Sequence, residues 1–134
     1  MRLVRDREYG EVDLTASADE LGALARSVAE GEGLLGCASP AAADEPAGVE
    51  ALTGIEVRKS SGPGVLIRPD RARQVLVISG DGAARAVLAD NLRAMAEAED
   101  GGHLHVDHFP DHPYLAEGSV PLVVNSPHGG MPAR

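Results

Sequence analysis

The chain has 134 residues, a formal net charge of −9, one cysteine, and Tyr9, Phe109 and Tyr114 as its only aromatic residues. That length supports one domain with a modest core. A lone Cys37 excludes an internal disulfide framework and a cysteine-based zinc site. The acidic balance argues against nucleic acid as a general partner, because phosphate binding rests on Lys and Arg. No apolar run of roughly eighteen residues offers a membrane span. The charged opening Met1–Glu8 lacks the apolar run of a secretory signal, so the expected compartment is the cytoplasm.

With so few rings, the core has to be built from Val, Leu, Ile and Ala. Arg2 to Arg5 reads as a first strand, followed by a turn at Tyr9-Gly10. Glu11-Val12-Asp13-Leu14-Thr15 alternates with the two-residue period of a half-buried strand. Ser17-Ala18-Asp19-Glu20 has the capping-box pattern, and Leu21, Leu24, Ala25 and Val28 then recur at helical spacing. Gly31 and Gly33 stop that helix, and Leu34-Leu35 begins a short strand. Residues 36–50, with Pro40 and Pro46, read as a flexible loop between halves.

The second half repeats the plan. Ile55 to Arg58 and Val65 to Arg68 are short strands joined through Ser61-Gly62-Pro63-Gly64. Val75-Leu76-Val77-Ile78 lacks polar alternation, so both of its faces are expected to be buried. Ser79 or Asp81 caps a second helix with Val87, Leu88, Leu92 and Met95 toward the core. His103 to Phe109 alternates again. Val120 to Asn125 is a last strand, which Pro121 places at an edge or at a strand start. Residues 126–134 read as a frayed tail after a single domain of residues 1–125.

Val12 and Leu14 align with Val75 and Val77 at an offset of 63. Leu21, Ala25 and Val28 align with Leu88, Leu92 and Met95 at an offset of 67, as if the second copy held one more helical turn. The expected fold is therefore α+β, with a mixed or mainly antiparallel sheet and two helices packed on one face, built from a duplicated strand-strand-helix-strand unit.

Charge is uneven along this plan. Arg58 to Arg73 holds five basic residues and one acid, about +4 locally, against roughly −13 elsewhere. The arginines either line the solvent faces of two strands or form a patch that docks an acidic partner.

All five histidines lie in the last third of the chain. His103, His105 and Asp107 share one strand face, with about 7 Å between successive same-face positions, a spacing at which two imidazoles can share a metal. That supports an alternative reading as a metal-binding protein or a metal-dependent enzyme. The bland reading is the outward face of a strand whose Leu104 and Val106 point inward. No nucleophile with a positioned base is identifiable, and no cofactor motif is complete. Pro110 and Pro113 stiffen a loop that offers His108, His112 and Tyr114 as recognition residues, unless Phe109 and Tyr114 fold back onto the core.

The run Gly101-Gly102-His103-Leu104-His105-Val106-Asp107, followed by His112-Pro113-Tyr114-Leu115 and Ser119-Val120-Pro121-Leu122-Val123-Val124, resembles the C-terminal signature of the immunity protein 32 family. The resemblance covers roughly residues 73–124. It implies a bacterial, non-enzymatic protein that neutralises a toxin of a polymorphic toxin system by binding it, with His103, His105, Asp107, His108, His112 and Tyr114 as candidate contacts. The net negative charge would suit a basic toxin by electrostatic steering. A third alternative is a homo-oligomer that pairs through the edge strand Val120 to Asn125.

Overall fold

The computed structural model describes residues 1–6, 10–37, 49–61, 63–70, 72–97, 103–106, 114–116 and 118–125. In chain order they form β1 (Arg2–Asp6), β2 (Val12–Thr15), α1 (Ala18–Glu30), β3 (Gly33–Gly36), β4 (Val49–Ala51), β5 (Gly54–Lys59), β6 (Val65–Asp70), β7 (Val75–Gly80), α2 (Gly82–Glu97), β8 (His103–Val106) and β9 (Leu122–Asn125). The fold is α+β with mixed sheets, as the sequence predicts. Its strands are shared between two sheets, β4-β1-β2-β9-β8 and β3-β5-β7-β6.

The two sheets have one plan. Read from β1, the five-stranded sheet pairs β1 with β2 antiparallel, β2 with β9 parallel and β9 with β8 antiparallel. Read from β6, the four-stranded sheet pairs β6 with β7 antiparallel, β7 with β5 parallel and β5 with β3 antiparallel. Each helix carries the chain across: α1 leads from β2 to β3 in the other sheet, and α2 leads from β7 to β8 back in the first. The duplicated unit is thus present, but its two copies exchange their last strands. The helices pack mainly against each other, and the inner faces of both sheets close over them in one aliphatic cluster.

A single offset relates the copies. Adding 64 to Leu3, Val12, Leu14, Ser17, Leu24, Ala25 and Val28 gives Ile67, Leu76, Ile78, Asp81, Leu88, Ala89 and Leu92. Apart from the two caps Ser17 and Asp81, every one of these residues is buried. The hairpin registers agree, with Leu3 opposite Leu14 and Ile67 opposite Ile78. Even the turns agree: Gly10 has φ +76° and Gln74, its counterpart, φ +56°. This corrects the offsets of 63 and 67. Four successive apolar residues in β7 hide the two-residue alternation and permit a one-residue slip. The helical offset failed because Val87 is 42% exposed and Met95 only half-buried, while the true core position Arg85 reads as surface. The longer α2 gains its extra residues at its C-terminal end.

Both helices begin with a side-chain cap. The Ser17 Oγ accepts the Glu20 amide at 3.1 Å, and the Glu20 Oε1 accepts the Ser17 amide at 2.8 Å, completing a capping box. On α2, the Asp81 Oδ1 accepts the Ala84 amide at 2.8 Å, while its Oδ2 accepts the Gly64 amide at 3.2 Å. Asp81 therefore ties the start of α2 to the turn before β6. Ser79 lies within β7 instead.

Arg85 stands where the first copy has Leu21, and it is 6% exposed. Its Nε donates to the Gly80 carbonyl at 2.9 Å, and its Nη1 to the carbonyls of Val28 and Ala29 at 2.9 and 3.0 Å. A guanidinium from the first turn of α2 thus satisfies the open carbonyl end of α1, where the helix dipole favours a cation. Gly31 ends α1 with φ +85°, and a Cβ there would lie 2.5 Å from the Lys59 Cγ and 2.7 Å from the Arg85 Nη1. The glycine is what lets Arg85 reach the helix end.

Three expectations are corrected. The loop placed at 36–50 is shorter at both ends, because Gly36 completes β3 and Val49 and Glu50 open β4 on the edge of β1; residues 38–48 lie outside the described residues. The last strand is not an edge, since β9 runs between β2 and β8. Pro121 is accommodated just before it, where its carbonyl accepts the Val12 amide at 2.8 Å. Finally, Tyr114 to Val120 lies along β6: the Val65 amide donates to the Tyr114 carbonyl, and the amides of Ala116 and Val120 to the carbonyls of Val65 and Ile67. That segment does for β6 what β4 does for β1. The proposed tail at 126–134 lies outside the described residues.

Arg85→Leu, which restores the first copy's residue type, leaves three carbonyls without their donor. It is expected to destabilise the fold by about 3 kcal/mol, read as a lower urea midpoint with unchanged slope. The amides of Ala84 and Gly64 hold the Asp81 carboxyl below the ordinary aspartate range. The stability this contributes is complete above the unfolded value of about 4 and is lost as pH falls through the lowered folded value. Urea midpoints between about pH 5 and pH 2 should fall less steeply in Asp81→Asn than in the wild type.

Candidate functional site

The two-residue period of the strands gives each sheet an outer face away from the common core. On the five-stranded sheet, one row across the strands runs Val4, Asp13, Val123, His105, and the next runs Arg2, Thr15, Asn125, His103. Asn125 organises this face. Its Nδ2 donates to the Asp13 Oδ1, to the Leu14 carbonyl at 3.2 Å and to the Thr15 Oγ1 at 3.2 Å. Arg2, Val4, Asp13, Thr15 and Asn125 line a shallow groove there.

Of the candidate residues named from the sequence, His103, His105 and Tyr114 fall among the described residues. His103 and His105 occupy alternate positions on β8, an edge strand, and His105 is exposed. Asp107, His108 and His112 lie outside the described residues. Tyr114 is a correction: it is 9% exposed, belongs to the core, and accepts the Asn91 side-chain amide on its hydroxyl at 3.2 Å. The ring closes one end of an aliphatic core instead of reaching a partner, and it does so beside β6 in the other sheet. Among the described residues, no group of three or more His, Cys, Asp or Glu is placed to hold a metal ion. Burial pushes the Cys37 thiol up, away from the reactive thiolate.

The outer face of the four-stranded sheet has different chemistry. One row across it runs Leu34, Glu56, Val77, Arg68, and the next runs Arg58, Ser79, Leu66. The Glu56 Oε1 accepts from the Arg73 Nη1 at 2.7 Å and from the Arg58 Nη2 at 2.8 Å. The bonds from Arg73 and then Arg58 hold the Glu56 carboxyl below its ordinary range, and Glu56 in turn raises Arg73. Arg58, Leu66, Arg68, Pro69, Asp70, Val77 and Ser79 enclose an open depression of about 440 Å³. Leu34 stands at the edge of this face, 68% exposed. Arg58, Arg68 and Arg73 are exposed, which both sequence readings of this segment require.

The offset of 64 makes the contrast specific. Inner positions pair apolar with apolar, as in Leu3 with Ile67 and Leu14 with Ile78. Outer positions do not match: Arg2, Val4 and Asp13 become Leu66, Arg68 and Val77. The copies share a core and differ on their outer faces. Sequence reasoning missed Asn125 and Leu34 as surface-defining residues. The signal for Asn125 is a polar side chain directly after Leu122-Val123-Val124, and for Leu34 an apolar pair between glycines on a short strand.

Residues 75–127 match the family model of Immunity protein 32. The match supports the resemblance carried by the C-terminal motifs, and it extends from β7 through α2, β8 and β9. No curated protein and no solved structure matches the chain. Among the described residues, no helix is long and apolar enough to cross a membrane.

Asn125→Ala removes the amide that joins β9 to β2 on the outer face. It should cost about 1–2 kcal/mol in urea unfolding at pH 7. Asn125→Asp sets a second carboxylate against Asp13, a like-charge contact that raises their pKa values. Its deficit relative to the wild type should therefore shrink as pH is lowered through the carboxylate range, which the same unfolding assay reads.

Proposed function

We propose that this chain is an immunity protein that neutralises a cognate bacterial toxin by binding it, without chemistry of its own. The observation that carries this reading is the family match over residues 75–127, a span that takes in strands of both sheets. The architecture supports it: two outer faces of distinct chemistry on a core tied by exchanged strands make a rigid presenter of surface. In this reading the protein acts in the cytoplasm of a cell that must survive a toxin of its own polymorphic toxin system. The overall charge of −9 does not choose the charge of the toxin's contact surface, because the outer face of the four-stranded sheet is locally cationic.

The test is survival. The toxin-like C-terminal domain encoded beside this gene, induced alone, should arrest growth. Co-expression of this chain should restore growth, and the two should co-purify. Arrest that persists at full expression of folded protein would overturn the reading.

A further inference from the structure

The outer face of the four-stranded sheet combines three features. It has an exposed apolar side chain, Leu34, in row with the half-buried Val77. It has a depression with two guanidinium groups, Arg58 and Arg68, and one carboxylate, Asp70, in its wall and Ser79 and Val77 in its lining. It also has more guanidinium than carboxylate: Arg58 and Arg73 share the single oxygen Oε1 of Glu56, and Arg73 also meets Asp70 at 3.7 Å. The exposed Arg68 makes no ion pair among the described residues. Among the described residues, Arg58 uses one of its five donors, on Glu56.

Such a face suits a carboxylate. A guanidinium recognises it with paired N–H donors, and Arg gains more from a contact surface than Lys because its plane is weakly hydrated. The position is also one the duplication did not dictate. At the matching place on the other sheet the arginine Arg68 is Val4, and the apolar Val77 is Asp13. Folding requires neither change, since the inner faces are kept while the outer ones differ.

We infer that the outer face of the four-stranded sheet is the docking surface for the toxin, and that it takes an acidic segment of that partner, with a carboxylate seated between Arg58 and Arg68 and an apolar neighbour against Leu34 and Val77. This rests on the immunity reading above and names the contact within it. It assigns the contact to this face and not to the histidine-bearing face of the five-stranded sheet.

The experiment uses the full chain and an inactivated form of the toxin domain encoded beside the gene, with affinity measured by calorimetry. Arg68→Glu and Leu34→Ser change exposed side chains, and circular dichroism confirms their fold. Each should weaken binding by about tenfold or more, Arg68→Lys should recover part of the loss, and added salt should weaken the wild-type complex. His105→Glu, on the opposite face, should leave the affinity unchanged. Unchanged affinity in Arg68→Glu and Leu34→Ser, together with a loss in His105→Glu, overturns the assignment and leaves the immunity reading standing. Tighter binding by Arg68→Glu overturns the acidic partner segment. Self-association that Leu34→Ser abolishes without changing toxin affinity assigns the face to a second copy and also overturns it. A wild-type chain that does not bind the toxin domain overturns the immunity reading together with the inference.

Discussion

Each of the two parallel strand pairs, β2 with β9 and β5 with β7, joins a strand that precedes β6 in the chain to one that follows it. Without β9, the β1–β2 hairpin would end at an open β2 edge, where Val12 and Leu14 would lose their neighbours Leu122 and Val124. Without β5, the β6–β7 hairpin would be left in the same state. A two-stranded hairpin is marginal in water, and these hairpins carry no aromatic pair to strengthen them. The exchange answers the scarcity of rings in this composition. It closes one aliphatic core, so that Val, Leu and Ile of both sheets cover the inner faces of the two helices and lose their exposed surface.

Arg85 marks where this arrangement departs from its own symmetry. The first copy has Leu21 at the matching position, packed as a plain core residue. In the second copy a cation takes the place of the leucine and reaches three carbonyls, two of them in the other helix. A buried guanidinium is tolerable only when its donors are met, and here they meet the end of α1, where unsatisfied carbonyls and the helix dipole coincide. The two helices are thereby joined end to start as well as side to side. Gly31 is part of the same device, because any side chain there would occupy the space the guanidinium and the stem of Lys59 use.

Most elements were legible in the sequence because each rests on a local rule. The capping box at Ser17–Glu20, the alternation in Glu11–Thr15 and the apolar run in β7 each name their structure from a few neighbours. What was not legible depends on distant partners. Nothing local says that α1 leads into a different sheet from the one it left. Nothing local says that the Tyr114 segment lies against β6 about fifty residues earlier. The candidate site suffered in the same way. A stiff, histidine-rich loop with an aromatic residue reads as a recognition surface, yet its tyrosine was drawn into the core by a partner, Asn91, that its own neighbourhood does not announce. Arg85 is the converse case, since its type predicts surface while its contacts make it core.

An internal duplication supplies a comparison that a lone sequence otherwise lacks. Two copies of one plan, built in one chain, meet similar demands at their inner positions: Leu3, Val12, Leu14, Leu24, Ala25 and Val28 all have apolar buried counterparts, and Leu21, matched by Arg85, is the exception. The outer positions are free of the demands of folding, because a strand's solvent side tolerates most polar residues at little cost. Divergence confined to that side therefore has its origin in what each face meets. One copy presents Asp13 and Thr15, tied to Asn125 by its side-chain amide, with Arg2 in the same groove. The other presents Arg58, Arg68 and Arg73 against the carboxylates of Glu56 and Asp70, with Leu34 left in water. A closed network suits a surface that only has to stay folded. An excess of guanidinium beside an exposed leucine suits one that is completed by something else.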